Sequence, residues 1–143
     1  MLELNVMLPR KNKIIIDTNL WISFILTSNY SKLDQILLNK TISIIFSEEL
    51  LEEFIDVAVR PKFRKYFSSE DLLSLLNQIE KNCEFVKVKS EVNNCRDAKD
   101  NFLLALAKDG NAKYLITGDK DLIVLGKFEE TEIISITDFL NKN

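Results

Sequence analysis

Three short apolar runs rich in β-branched residues, Ile14–Ile16, Ile42–Phe46 and Tyr114–Ile116, set the tightest limit on how this chain can fold. Each is bounded by polar or turn residues and lacks a regular polar alternation, which is the pattern of strands covered on both faces. Glu84–Val88 and Glu132–Ile136 read as two further strands. Between the runs, apolar residues recur at helical spacing: Leu33, Ile36 and Leu37; Leu51, Phe54, Ile55 and Ala58; Leu72, Leu73, Leu76 and Ile79; Phe102, Leu103, Leu106 and Ala107. Strands alternating with helices predict an α/β fold built on a parallel sheet. Ser47 ahead of Glu48 and Glu49, Ser68 three residues before Asp71, and Asp97 three before Asp100 mark helix starts. Gly110 is expected to close the last of these helices.

With 3 Gly and 2 Pro spread over 143 residues, no linker, repeat or low-complexity tract divides the chain, and one domain over residues 1–143 is expected. Residues 1–12 precede the first buried strand as an N-terminal extension. The alternation of Leu2, Leu4 and Val6 suits an extra edge strand or an ordered tail.

Composition narrows the chemistry by elimination. The chain has no histidine, which excludes Ser/His/Asp and Cys/His nucleophilic sites and zinc sites built on imidazole. Its two cysteines, Cys83 and Cys95, are too few for a four-thiolate zinc site and form no Cys-x-x-Cys pair, which fits a reducing, cytoplasmic setting. The net charge of -3 argues against a passive nucleic-acid coat. It leaves room for an enzyme that meets phosphates through bound cations. Met1–Lys13 places its apolar residues before its basic ones, unlike a secretory leader, and no apolar run is long enough to span a bilayer, so no membrane partner is expected.

In an open parallel sheet, ligands bind beyond the carboxyl ends of the strands. Two of those ends are acidic here: Ile14–Ile16 runs into Asp17-Thr18-Asn19, and Tyr114–Ile116 runs into Thr117-Gly118-Asp119-Lys120-Asp121. Helices that follow strands start at the same rim, which brings Glu52 or Glu53 and Asp100 toward it; periodicity does not choose between the two glutamates, which flank one apolar stripe. Four converging carboxylates raise one another's pKa unless protons or cations neutralise them. An all-carboxylate set suits the hard ions Mg2+ or Mn2+, and such ions can activate water for phosphodiester cleavage without a histidine.

These residues resemble the PIN-domain nucleases, particularly the toxin components of prokaryotic toxin-antitoxin pairs, from about Lys13 almost to the C-terminus. Ile-Ile-Ile-Asp17-Thr18-Asn19 is similar to the family's opening strand and first metal-binding acid. Ser47-Glu-Glu-Leu-Leu-Glu-Glu53-Phe, followed by Arg60-Pro61-Lys62-Phe63, resembles the segment of the second acid, which maps to Glu53. Asp97-Ala-Lys-Asp100-Asn and Thr117-Gly118-Asp119-Lys-Asp121-Leu resemble the third and fourth, at Asp100 and Asp119. The resemblance implies a three-layer PIN-like fold with a central five-stranded parallel sheet flanked by helices. It further implies RNA cleavage dependent on Mg2+ (or Mn2+), and a homodimer silenced by a cognate antitoxin protein.

Around the four acids, Thr18, Asn19, Ser23, Thr117 and Asp121 are expected to hold carboxylates or water by hydrogen bonds. Lys120, Arg60 and Lys62 are candidate substrate contacts. Ordinary alternatives stand beside each expectation: Asp97 and Asp121 as helix caps, Asp100 as partner in a cap, Glu53 as a solvated surface residue, the Arg60–Phe67 run as a solvated loop, and Trp21 as packing. Two rival functions remain: a catalytically silent PIN-like module that binds RNA or protein, and a phospho-receiver in which Asp17 is phosphorylated. The paired acids that usually stand beside such a nucleophile are missing from Asp17-Thr18-Asn19.

Overall fold

Ile14 and Ile15 are fully buried and Ile16 nearly so. Successive side chains of a strand point to opposite faces, so their burial requires helices on both sides of the sheet. In the computed structural model, which describes residues 12–27 and 30–142, these isoleucines belong to β1 (Asn12–Ile16). The other strands are β2 (Ile42–Phe46), β3 (Cys83–Phe85), β4 (Tyr114–Ile116), β5 (Lys127–Phe128) and β6 (Thr131–Ile134). The helices are α1 (Thr18–Leu26), α2 (Tyr30–Leu37), α3 (Glu48–Ala58), α4 (Ser69–Asn82), α5 (Ala98–Asp109), α6 (Lys120–Leu125) and α7 (Ile136–Lys142), and Pro61–Phe63 forms a 3-10 turn. The expected edge strand or tail at Leu2–Val6 lies outside the described residues.

The strand order is β3-β2-β1-β4-β6-β5, with every neighbouring pair parallel except β5 with β6. The chain moves outward from β1 to β2 and β3, then returns to lay β4 on the other flank of β1. Such a reversal opens a crevice at the carboxyl ends of the two strands that straddle it. Register makes the crevice level: Ile16 pairs with Ile116 and Ile116 with Ile134. Asp17 and Thr117 therefore leave the sheet side by side, their N–H groups donating to Ile116 O and Ile134 O, each at 3.0 Å.

Three details differ from the sequence expectation. The five parallel strands gain a sixth, antiparallel one, because Gly126 at φ +69° and Glu129 at φ +49° turn the chain back on β6. β3 ends at Phe85 instead of Val88. Beyond Val86 the chain is drawn to the C-terminal end of α5, where the Asp109 carboxylate accepts the N–H groups of Lys89 (2.6 Å) and Ser90 (2.8 Å) and the Ser90 hydroxyl. Those bonds, the Ser90 hydroxyl first, hold the Asp109 carboxyl below its usual range. Finally, β6 stops at Ile134 because Ser135 Oγ accepts the Asp138 N–H at 3.1 Å and starts α7.

The helix starts fall where the capping residues predict. Ser47 Oγ accepts the Leu50 N–H at 3.0 Å, and Ser68 and Asp71 form a reciprocal capping box. Gly110 closes α5 in right-handed geometry, and the left-handed residue is its neighbour Asn111 at φ +52°. Space explains this glycine: a Cβ there would overlap Ile45 Cδ1 and stand 3.0 Å from the Leu106 carbonyl oxygen. Gly110→Ala is accordingly expected to destabilise the fold by about 1–3 kcal/mol. An unfolding midpoint equal to the wild type's would show that Ile45 yields without cost.

Candidate active site

Asp17 leaves β1 directly into the N-cap position of α1. Its Oδ1 accepts the Asn19 N–H at 3.3 Å and its Oδ2 accepts the Thr117 hydroxyl at 2.8 Å. Thr117, nearly fully buried, uses the same oxygen to accept the Asp119 N–H at 3.0 Å. One hydroxyl thus fixes the acid after β1 to the acid after β4. Asp119 in turn caps α6 by accepting the Asp121 N–H at 2.9 Å.

Asp97 caps α5 through the Lys99 N–H at 2.9 Å, which sets Asp100 in the first turn facing the crevice. The approach to this cap is clasped by Asn101, whose side-chain amide accepts the Cys95 N–H (2.7 Å) and donates to the Cys95 carbonyl (2.9 Å). Glu53 comes from the second turn of α3, and Lys99 Nζ lies 3.3 Å from its Oε1.

Asp17, Glu53, Asp100 and Asp119 all line one small cavity of about 70 Å³, together with Thr18, Asn19, Asp97 and Lys99. Leu50, Phe102 and Leu103 complete its wall. Glu52 is exposed on the neighbouring face of α3 and takes no part in that lining. Asp17, Asn19 and Asp119 also border an adjoining cleft of about 370 Å³ that includes Ser23 and Gly118.

The other expected residues lie outside the acidic cavity. Thr117 supports it from beneath, while Asp121 and Lys120 are exposed at the start of α6. Arg60 and Lys62 follow the C-terminal end of α3, whose N-terminal end is the one at the rim. Lys62 Nζ instead sits over the Phe63 ring at 5.1 Å. Trp21 is core, 1% exposed and packed on Phe46 and Phe54. The larger cavity of about 480 Å³ beside Val59, Arg64 and Leu72 contains no acid.

Asp17, Asp97 and Asp119 each cap a helix start by accepting a backbone N–H. Asp100 lies in the first turn of α5 instead. It is 7% exposed, and burial pushes its carboxyl up to about 6, with the charges of Asp119, Asp97, Asp17 and Asp121 adding to the shift. The same acids act on Cys95, whose thiol is raised by burial first and then by Asp100, Asp119, Asp121 and Asp97; burial alone takes Cys83 to about 12. Neither sulfur is therefore a ready thiolate ligand.

Among the described residues, no three His, Cys, Asp or Glu side chains are already arranged as a metal-ligand set. The chemistry of the donors nonetheless fits a hard divalent cation. All are oxygens, and each carboxylate oxygen keeps a lone pair beyond its cap bond. Thr18 Oγ1, buried on the cavity wall, has no hydrogen-bond partner among the described residues.

Asp97 and Lys99 on the cavity wall, and Asn101 in the loop that leads to it, are additions to the residues the sequence points to. Asp97 carried a visible signal, its cap spacing to Asp100, whereas nothing in the linear pattern joins Lys99 to Glu53. Among the described residues, no helix is long and apolar enough to cross a membrane. Comparison with known proteins agrees with the fold. An uncharacterized protein of Methanocaldococcus jannaschii is 33% identical over 118 residues, covering 80% of this chain and 76% of the relative. The family model described as "PIN domain" matches residues 13–121, more than half the chain and a span that holds all four acids, and the protein accordingly belongs to the PIN domain family.

Proposed function

We propose that this protein is a metal-dependent endoribonuclease, the toxin of a toxin-antitoxin pair that acts in the cytoplasm as a homodimer and is silenced by its antitoxin. PIN domains are generally metal-dependent nucleases, and the toxin role is supported by the resemblance of the four motifs. The observation that carries the nuclease reading is the gathering of Asp17, Glu53, Asp100 and Asp119 on one cavity at the point where the sheet order reverses. Within it the Asp100 carboxyl is pushed up to about 6, by burial first and by the neighbouring carboxylates next, and a bound cation would offset both.

In this reading Asp17, Glu53, Asp100 and Asp119 hold Mg2+ or Mn2+. When bound, such a cation supplies Lewis acidity, activating water and offsetting the charge that builds on the scissile phosphate. Thr117 positions Asp17 against Asp119, and Asn101 fixes the loop that delivers Asp97 and Asp100. Thr18 and Asn19 face the ligand space, Ser23 borders the adjoining cleft, and Asp121 adds charge beside Asp119. Lys120, Arg60 and Lys62 are the outlying cations of the proposal, meeting phosphates beyond the cavity.

The test is cleavage of single-stranded RNA by the purified protein in Mg2+ or Mn2+ and in excess chelator. Cleavage confined to the divalent arms is expected. Equal cleavage in chelator contradicts the metal assignment, and RNA or protein binding without cleavage in any divalent ion establishes the silent module instead.

A further inference from the structure

Among the described residues, Lys99 is the sole lysine or arginine on the wall of the acidic cavity. Its backbone is anchored by the Asp97 cap, so the root of the side chain is fixed at the mouth. Its ammonium is paired, among the described residues, with Glu53 alone, at 3.3 Å, with side-chain exposures of 71% and 32%. A pair so open to water is weak, and a divalent ion readily displaces it. The four-carbon stem then leaves the charge free to move by several ångströms while the helix stays still.

We infer that Lys99 is a tethered cation that occupies Glu53 in the metal-free cavity and, once a divalent ion takes Glu53, turns to a phosphate of bound nucleic acid. This rests on the nuclease reading of the same site. Without a metal the described wall holds one positive charge, paired with Glu53, among five carboxylates, Asp97 included. With the metal bound, the ammonium loses its partner at the place where a polyanion enters. On the same wall the buried Thr18 hydroxyl has no hydrogen-bond partner among the described residues. Lys120, exposed and off the wall, lacks this coupling to an acid of the set.

The experiment compares wild type, Lys99→Met, Lys99→Arg and, as a remote control on the same helix, Lys108→Met. Mn2+ affinity is measured by calorimetry, and binding of a phosphorothioate single-stranded RNA is measured by anisotropy with and without Mn2+. Lys99→Met is expected to bind Mn2+ about two- to fivefold tighter, because the competing ammonium is gone. At saturating Mn2+ it should bind RNA more weakly, with the salt dependence reduced by about 0.7 in the log–log slope, the value of one lost phosphate contact. In chelator its RNA defect should be clearly smaller than in Mn2+, since Lys99 is then paired with Glu53 for most of the time. Lys99→Arg should restore RNA binding and Lys108→Met should change neither quantity.

Unchanged Mn2+ affinity in Lys99→Met, or an RNA defect of equal size with and without Mn2+, overturns the inference while leaving the nuclease reading intact. A wild type that binds no Mn2+ overturns both.

Discussion

Asp17→Asn is expected to lower divalent-dependent RNA cleavage by at least about 10²-fold while leaving the protein folded. The substitution keeps size and one acceptor oxygen, so the Asn19 N–H retains its cap. What changes is the other terminus of the side chain. Oδ2 accepts the Thr117 hydroxyl, and an amide nitrogen in that place would donate toward an oxygen that already accepts the Asp119 N–H. The alternative rotamer gives Thr117 its acceptor back but presents the amide to the Asn19 N–H. Either way the acid after β1 loses its charge and the link that aligns it with the acid after β4 is strained. Single-turnover cleavage at saturating Mn2+, with circular dichroism to verify folding, measures the effect. A folded variant within tenfold of wild type would remove Asp17 from the proposed machinery.

Asp100→Asn is expected to act in opposite directions on activity and on stability. Cleavage should fall as for Asp17, yet the metal-free variant should be more stable than wild type above pH 6, by on the order of 1–3 kcal/mol. The sign follows from the direction of the shift. Folding raises the Asp100 carboxyl from 3.8 to about 6, so the folded state binds its proton more tightly than the unfolded state does. Below pH 4 both states are protonated and the group costs nothing. As pH climbs from 4 to 6 the unfolded chain ionises first, folding loses ground, and above 6 the full penalty remains. Asparagine never ionises and escapes this loss. Urea unfolding in chelator at pH 4, 5, 6 and 7.5 should show the two proteins diverging across that window, and divalent ions should stabilise wild type alone. Parallel pH profiles would mean that Asp100 titrates as an ordinary surface acid.

Much of this architecture is legible in the amino-acid order, and the residues show why the rest is not. Ile14–Ile16, Ile42–Phe46 and Tyr114–Ile116 announce central strands because burial on both faces leaves no place for polar alternation. Ser47, Ser68 and Asp97 announce helix starts because a cap is a contact between residues two or three apart. Both signals are local. The end of β3 is not, since it is decided by Asp109 reaching back about twenty residues to the Lys89 and Ser90 backbone. Nor is β5, whose turn uses Glu129 at positive φ where sequence rules look for glycine or asparagine. Within the site, Asp17 and Asp119 could be read from strand ends and Asp100 from its cap spacing. Choosing Glu53 over Glu52 needs the rotation of α3 against α5, which periodicity leaves open because both glutamates border the same apolar stripe.

The bond from Thr117 to Asp17 joins residues one hundred positions apart, and β4, a central strand in space, comes late in the chain. A growing polypeptide on the ribosome therefore carries its first three acids well before it can align them. Until β4 slots in beside β1, Asp17 and Asp119 are not brought together. If the proposed nuclease reading holds, a protein assembled in this order is inert through most of its own synthesis.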